Sequence, residues 1–187
     1  MTRVSEKELI DILCNNATKI IHKHGLDSDE FLPIRQILFP HGRADAVIYG
    51  LYKGLFIMPI AVEVKKKVLS CTELLYFIDQ IRKTYEYAFT YIYLAIGKIQ
   101  NNIEELVKRY LLDVGYGLIR ICDKDIDIII EATPKKPYRS RRDYAEVASR
   151  GMLYISTRRA LLDLGFSLDD IKVTSQWMGL NLSLIHI

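Results

Sequence analysis

The apolar positions change period several times along the chain, and each change marks an element. Over residues 5–24, Leu9, Ile10, Leu13, Ala17, Ile20 and Ile21 recur at helical spacing, which predicts an amphipathic helix closed by a glycine cap at Gly25. Residues 33–39 (PIRQILF) predict a first strand, PHG a turn, and residues 42–50 (GRADAVIYG) a second strand. YKG reads as a hairpin turn into a third strand, LFIMPIAVEVKKK, in which Pro59 marks a bulge or an edge position. A helical stripe of Leu74, Phe77, Ile78, Ile81, Tyr85 and Ala88 follows over residues 71–88. FTYIYLAIG is mostly apolar, which predicts a strand covered on both faces. Residues 102–114 predict a helix with Asn101 or Asn102 as its N-cap, and GLIRIC and IDIIIEA predict two strands around an Asp-Lys-Asp turn.

TPKKPYRSRR is a proline-containing basic linker, and residues 142–164 predict a helix ended by Gly165. In the last segment Leu180, Leu182 and Leu184 alternate as in a strand. The order α-β-β-β-α-β-α-β-β, then helix and tail, predicts an α/β domain: a central mixed sheet flanked by helices, with a C-terminal helical extension. Residues 1–133 form the expected core. Residues 134–187 form a basic linker, helix and tail that pack on the core or at a dimer interface.

Composition narrows the class. At 187 residues and 50% apolar content the chain suffices for one proper core and is not mainly disordered. No apolar run reaches the length of a membrane span, and the charged first residues lack the pattern of a secretory signal. Cys14, Cys71 and Cys122 are odd in number, far apart and outside any C-x-x-C pair. They are expected as ordinary buried thiols in a reducing compartment, which points to the cytoplasm, a host's cytoplasm if the chain is viral. His22, His24, His41 and His186 form no spaced zinc set, and His41 reads as a turn histidine. Gly42, Gly50 and Gly54 fit turns rather than a phosphate loop.

The net charge of +3 matters less than its distribution. Residues 134–160 carry eight basic and two acidic side chains, a net of +6 that leaves −3 for the rest of the chain. A basic block beside an acid-bearing core suits a polyanion held against bound metal; a solvated linker and helix face is the other reading.

The candidate chemistry lies in the second and third strands. Residues two apart in a strand share a face, so Glu63 and Lys65 project together while Val62 and Val64 point into apolar packing; Asp45 is expected to share its face with Arg43 and Val47. If the strands pair as a hairpin, Asp45 and Glu63 lie side by side, and two neighbouring carboxylates repel unless a cation sits between them. Oxygen ligands with water positions suit Mg²⁺ or Mn²⁺. Lys65 would orient or help deprotonate a metal-bound water, or neutralise the phosphate in the transition state. In the first helix the apolar stripe centres near the direction of Glu6, with Glu8 on the opposite side. An acid aimed at a core calls for a partner or a metal, unless the first helical turn is frayed and wet.

EKELIDIL, GRADAVIYG and IAVEVKKK, in that order and followed by a helix, resemble the PD-(D/E)XK nuclease superfamily with its restriction-endonuclease-like αβββαβ core. Within it the likeness is nearest in character to archaeal Holliday junction resolvases and nucleases of archaeal viruses. The resemblance covers about residues 5–97. It implies a Mg²⁺- or Mn²⁺-dependent DNA endonuclease, structure-specific in the resolvase manner, acting as a homodimer on duplex or branched DNA. It makes Asp45, Glu63 and Lys65 catalytic, and Asp45, Glu63, Glu6 and the main-chain carbonyl of Val64 metal ligands. The family's proline before the aspartate is Ala44 here. Exonuclease-type relatives place Gln-x-x-x-Tyr in the following helix; here Gln80 is followed by Thr84 in that place and by Tyr85 one residue later. Arg43 and Gln80, with Lys135, Lys136, Arg139, Arg141 and Arg142 of the basic block, are the candidate DNA contacts. The alternative from another class is a non-catalytic DNA-binding or assembly protein on the same fold. A third reading is an RNA-directed or exonucleolytic enzyme.

Overall fold

The computed structural model describes residues 4–26, 31–39, 42–52, 56–135 and 141–165. Helices α1 (Glu6–Asn15) and α2 (Ala17–Lys23) precede three strands, β1 (Phe31–Phe39), β2 (Gly42–Tyr52) and β3 (Phe56–Lys65). Helix α3 (Cys71–Tyr85) leads to β4 (Tyr91–Ile96); a 3₁₀ turn (Asn101–Ile103) and α4 (Glu104–Val114) lead to β5 (Gly117–Cys122) and β6 (Asp125–Ile130). Helix α5 (Arg141–Asp163) follows. This is the expected order of an α/β domain with a C-terminal helix. The tail beyond residue 165, residues 40–41 and 53–55 of the expected turns, and His41 and His186 lie outside the described residues.

The six strands form one mixed sheet in sequence order. β1, β2 and β3 are antiparallel neighbours, β3, β4 and β5 run parallel, and β6 returns antiparallel to β5. Parallel neighbours need crossovers, and α3 and α4 supply them. One face packs on α1 and α2 through Leu13, Ile20 and Ile21 against Ile48, Val62, Tyr93 and Ile119. The other packs on α3, α4 and α5 through Ile78, Ile81, Val107 and Ile155 against Val47, Ala61, Ile92 and Leu118. β4 is therefore covered on both sides, as its apolar run predicts.

Local chemistry accounts for the departures. The predicted helix over residues 5–24 breaks at Asn16, whose side-chain amide donates to the Ile12 carbonyl at 2.9 Å and the Lys124 carbonyl at 3.0 Å. Such a side chain competes with the helix backbone, so α2 begins afresh. Gly25, at φ +60°, closes α2 as expected: its N–H bonds His22 and that of Leu26 bonds Ile21, a Schellman end. Neither Asn101 nor Asn102 caps α4, because the chain enters it through the 3₁₀ turn. Pro59 sits in an inner strand opposite Tyr49, not on an outer edge. β4 first pairs at Ile60, so on that side Pro59 meets only the Thr90 N–H, bonded to its carbonyl at 3.2 Å, and its missing N–H breaks no ladder. Cys14 is buried as expected, whereas Cys71 and Cys122, at the start of α3 and the end of β5, are exposed.

A candidate metal and phosphodiester site at a strand fork

The pairing of β2 fails at one residue. β1 pairs Arg35 with Ala46 and Ile37 with Ala44 and skips the step between them, Gln36 opposite Asp45. On the other side the β2–β3 ladder ends at Ala46 opposite Val62. Gln36 has φ +49°, a left-handed conformation that turns the strand. Inside–outside alternation flips across this step. Val47 packs toward α3, and so does Ala44, an odd number of residues away. Arg43 therefore does not share the face of Val47, contrary to the simple two-residue period; it is exposed on the cleft wall.

Asp45, left out of both ladders, turns its side chain toward β3, where Oδ2 accepts the Val64 N–H at 2.9 Å. A backbone N–H and C=O of one strand residue point to the same side, so the Val64 carbonyl also faces the fork between β2 and β3. Glu63 and Lys65 project together toward α3, as their spacing predicts. Lys65 Nζ lies 2.5 Å from Glu63 Oε1 and 4.9 Å from the centre of the Phe77 ring.

Glu63 is a buried acid, 2% exposed, and α3 surrounds it with donors. Gln80 Nε2 donates to Oε1 at 3.2 Å and the Tyr85 hydroxyl donates to Oε2. Burial pushes the Glu63 pKa up and the Asp45 charge adds to the effect; the Lys65 and Tyr85 bonds pull it down without cancelling the rise. Burial and the Glu63 charge push the Tyr85 phenol up in turn.

Asp45, Glu63, Lys65 and Gln80 line a cleft of about 330 Å³, enough for a hydrated ion and a phosphate group. Glu6 enters it from α1, Arg43 and Asp45 from β2, Glu63 and Lys65 from β3, and Gln80 from α3. Gly42 and Thr84 complete the wall: a Cβ on Gly42, at φ +147°, would lie 2.8 Å from the Thr84 methyl. Glu6 is exposed rather than core-directed. Ser5 caps its helix, and the Glu8 carboxylate reciprocates to the Ser5 N–H at 2.5 Å, a capping box on the opposite side. Among the described residues no three His, Cys, Asp or Glu side chains converge as a metal set. The Asp45 charge bears on Glu63, and Glu6 lines the same cleft. The donor chemistry fits a hard divalent cation: two carboxylates and a carbonyl at one fork, one acid disfavouring the other's charge.

Several sequence-derived candidates have other partners. Gln80 faces Glu63 instead of solvent. Lys135 Nζ lies 2.9 Å from Glu86 Oε1 and 4.4 Å from the centre of the Tyr116 ring. Lys136 and Arg139 lie outside the described residues, as do the side chains of Arg141 and Arg142. Tyr85 was legible as a position of an apolar stripe and as the tyrosine one residue out of place in Gln-x-x-x-Tyr, neither of which shows its bond to Glu63. The signal it carried was its hydroxyl, which must find a partner when the ring is buried.

No family model matches the chain, and no curated protein does. Among solved structures, a protein of unknown function from Silicibacter pomeroyi aligns at 16% identity and a TM-score of 0.49, over 89% of this chain and 99% of that one. A repair endonuclease from Pyrococcus abyssi aligns at 19% identity and a TM-score of 0.38, over 65% of this chain and 48% of its own. EndoMS in its apo form aligns at 16% identity and a TM-score of 0.35, over 66% and 48% respectively. The chain thus spans about half the length of the two nucleases. At these identities and TM-scores the likenesses carry no inference about kinship or activity.

Proposed function

We propose that the chain is a metal-dependent DNA endonuclease of the PD-(D/E)XK kind. The observation that carries this reading is the fork between β2 and β3. Asp45 leaves the sheet's hydrogen bonding there to meet β3 beside Glu63 and Lys65. Asp45, Glu63 and the Val64 carbonyl would hold Mg²⁺ or Mn²⁺, with Glu6 the remaining acid of the cleft. The bound ion would supply a water of lowered pKa and offset charge on the scissile phosphate. Lys65, its ammonium beside Glu63 and the Phe77 ring, would orient a water or meet charge developing on the phosphate. Arg43, on the open wall, would bind a phosphate oxygen. Lys136, Arg139, Arg141 and Arg142 would extend the DNA contact, and two copies of the chain would cut both strands of a duplex or branched substrate.

One observation favours a second reading, a non-catalytic DNA-binding or assembly protein. Both Glu63 oxygens already have protein donors and, among the described residues, no third acid converges on them. The two readings separate on one experiment. Branched, duplex and single-stranded DNA are incubated with the protein, with and without Mg²⁺ or Mn²⁺, beside Asp45→Ala and Lys65→Ala. Metal-dependent cutting that disappears in both variants is expected. A wild type that never cuts sinks the enzyme reading, and cutting that survives both substitutions sinks the site.

A further inference from the structure

We propose that Tyr85 is a positioning residue that holds the rear oxygen of Glu63 and leaves the other oxygen to the cleft; the inference rests on the nuclease reading above. The two oxygens of Glu63 are served by different kinds of group. Oε1 takes Lys65 and Gln80, both of which line the cleft and are open to exchange there. Oε2 takes the Tyr85 hydroxyl, which lies behind the cleft and is not part of its lining. Tyr85 is 1% exposed and its ring packs in one cluster with Phe39 and Phe89, with centroids at 6.0 and 5.8 Å. A ring so packed has one direction for its hydroxyl.

Packing alone does not require that hydroxyl. The buried positions of α3 are Leu74, Ile78, Ile81 and Tyr85, so the phenol is the one polar group on the helix's core face, and it lands on the buried acid. A phenylalanine would fill the same space among the same aromatic neighbours. Glu63 adjoins Val64, whose N–H bonds Asp45 Oδ2, so the acid that Tyr85 holds lies at the fork between the two strands. Gln80 and Tyr85, five residues apart, reach different oxygens of one carboxylate. That spacing serves a division of labour between front and rear. A ligand held from behind keeps its orientation when the groups in front of it exchange.

The test is Tyr85→Phe, read first by Mn²⁺ binding without DNA, from the electron paramagnetic resonance of free Mn²⁺. Mn²⁺ affinity is expected to fall about 10- to 100-fold, the usual cost of losing an outer partner of a ligand. kcat should fall comparably while KM for DNA stays unchanged, with cooperative melting retained. Phe39→Leu, which alters the same packing without touching Glu63, should leave Mn²⁺ affinity near wild type. If the wild type binds Mn²⁺ and Tyr85→Phe binds it equally well, the positioning role is overturned and the nuclease reading stands. A wild type that binds no Mn²⁺ and cuts nothing overturns both. Should Tyr85→Phe fail to melt cooperatively, a fluorotyrosine at position 85 keeps ring and hydroxyl. Its ¹⁹F resonance must then shift on adding Mg²⁺ in the wild type and not in Glu63→Gln; an unmoved resonance overturns the proposal.

Discussion

Burial and the neighbouring Asp45 charge make the ionised form of Glu63 costly, and Lys65 and Tyr85 only partly offset that cost. A raised carboxyl pKa means that the folded state holds its proton above the usual value near 4.5, so this residue's contribution falls as pH rises beyond it. Glu63→Gln is therefore expected to be more stable than wild type at pH 7, with the difference vanishing below about pH 4.5. Added Mn²⁺ should raise the Tm of the wild type and not of the variant. Urea titrations at both pH values check the first point, and a variant less stable at pH 7 sinks it. His24 works in the opposite sense. Its ring stacks on Tyr91 at 3.8 Å and meets the Tyr93 hydroxyl at 2.7 Å, and burial depresses its pKa to about 4 against a weaker pull from Glu131. The folded state resists protonating it, so its contribution is fully present above about pH 6.5 and drains away toward pH 4. His24→Gln should flatten the stability profile across that window; an unchanged slope would assign the acid sensitivity elsewhere. The sequence shows Glu63 and Lys65 together because a two-residue period decides which side chains travel together, and it puts Asp45 on the neighbouring strand but misses the reversal of faces there. It hides the bonds that Gln80 and Tyr85 make to Glu63, because whether a helical side chain meets solvent or a buried acid depends on what lies across the core.

Elements were legible wherever one period ran unbroken, as in β4, α3 and β5, and illegible where a single residue interrupts the pattern by a tertiary bond. Asn16 splits the first helix partly through the Lys124 carbonyl, 108 residues away, and no local pattern contains that partner. Gln36 flips the faces of β1 and β2 together, and a glutamine in a strand gives no warning of a left-handed φ. Helix α5 is seated by a third such contact. Gly151 is buried against Tyr49, where an added Cβ would lie 2.2 Å from the ring. Helix propensity alone would have Gly151→Ala gain about 1 kcal/mol. Tyr49 is itself 1% exposed and has little room to retreat, so overpacking of about 1–3 kcal/mol should win. Gly151→Ala is thus expected to be less stable by urea denaturation. A stabilised variant would mean that α5 does not rest on Tyr49. The same helix guards the sheet. Arg150 and Arg158 donate to the carbonyls of Leu38 and Phe31, near the two ends of edge strand β1, at 2.8 Å each. Occupied carbonyls are poor templates for another strand.

At the scale of the molecule those two arginines change what the basic block is for. Read as charge, residues 134–160 look like one polyanion surface. In the fold, Arg150 and Arg158 pin α5 to β1, and Lys135 joins the end of β6 to the end of α3. Burial works against the Glu86 charge, but Lys135 and the Tyr116 hydroxyl outweigh it and lower its pKa, which marks Lys135 as a structural partner. Within the block, Lys136, Arg139 and the two arginines at the start of α5 are the candidates left for a phosphate path. Lys135→Met is accordingly expected to lower the Tm while leaving the salt dependence of DNA binding intact. Arg141→Gln with Arg142→Gln should leave the Tm unchanged, weaken binding evenly across sequences, and flatten the plot of log affinity against log salt by about one for each phosphate no longer neutralised. Melting curves and fluorescence-anisotropy titrations at several salt concentrations measure both effects. A Lys135→Met protein that melts normally and loses salt dependence would return Lys135 to the DNA path. Arginine variants with an unaltered slope would remove α5 from it.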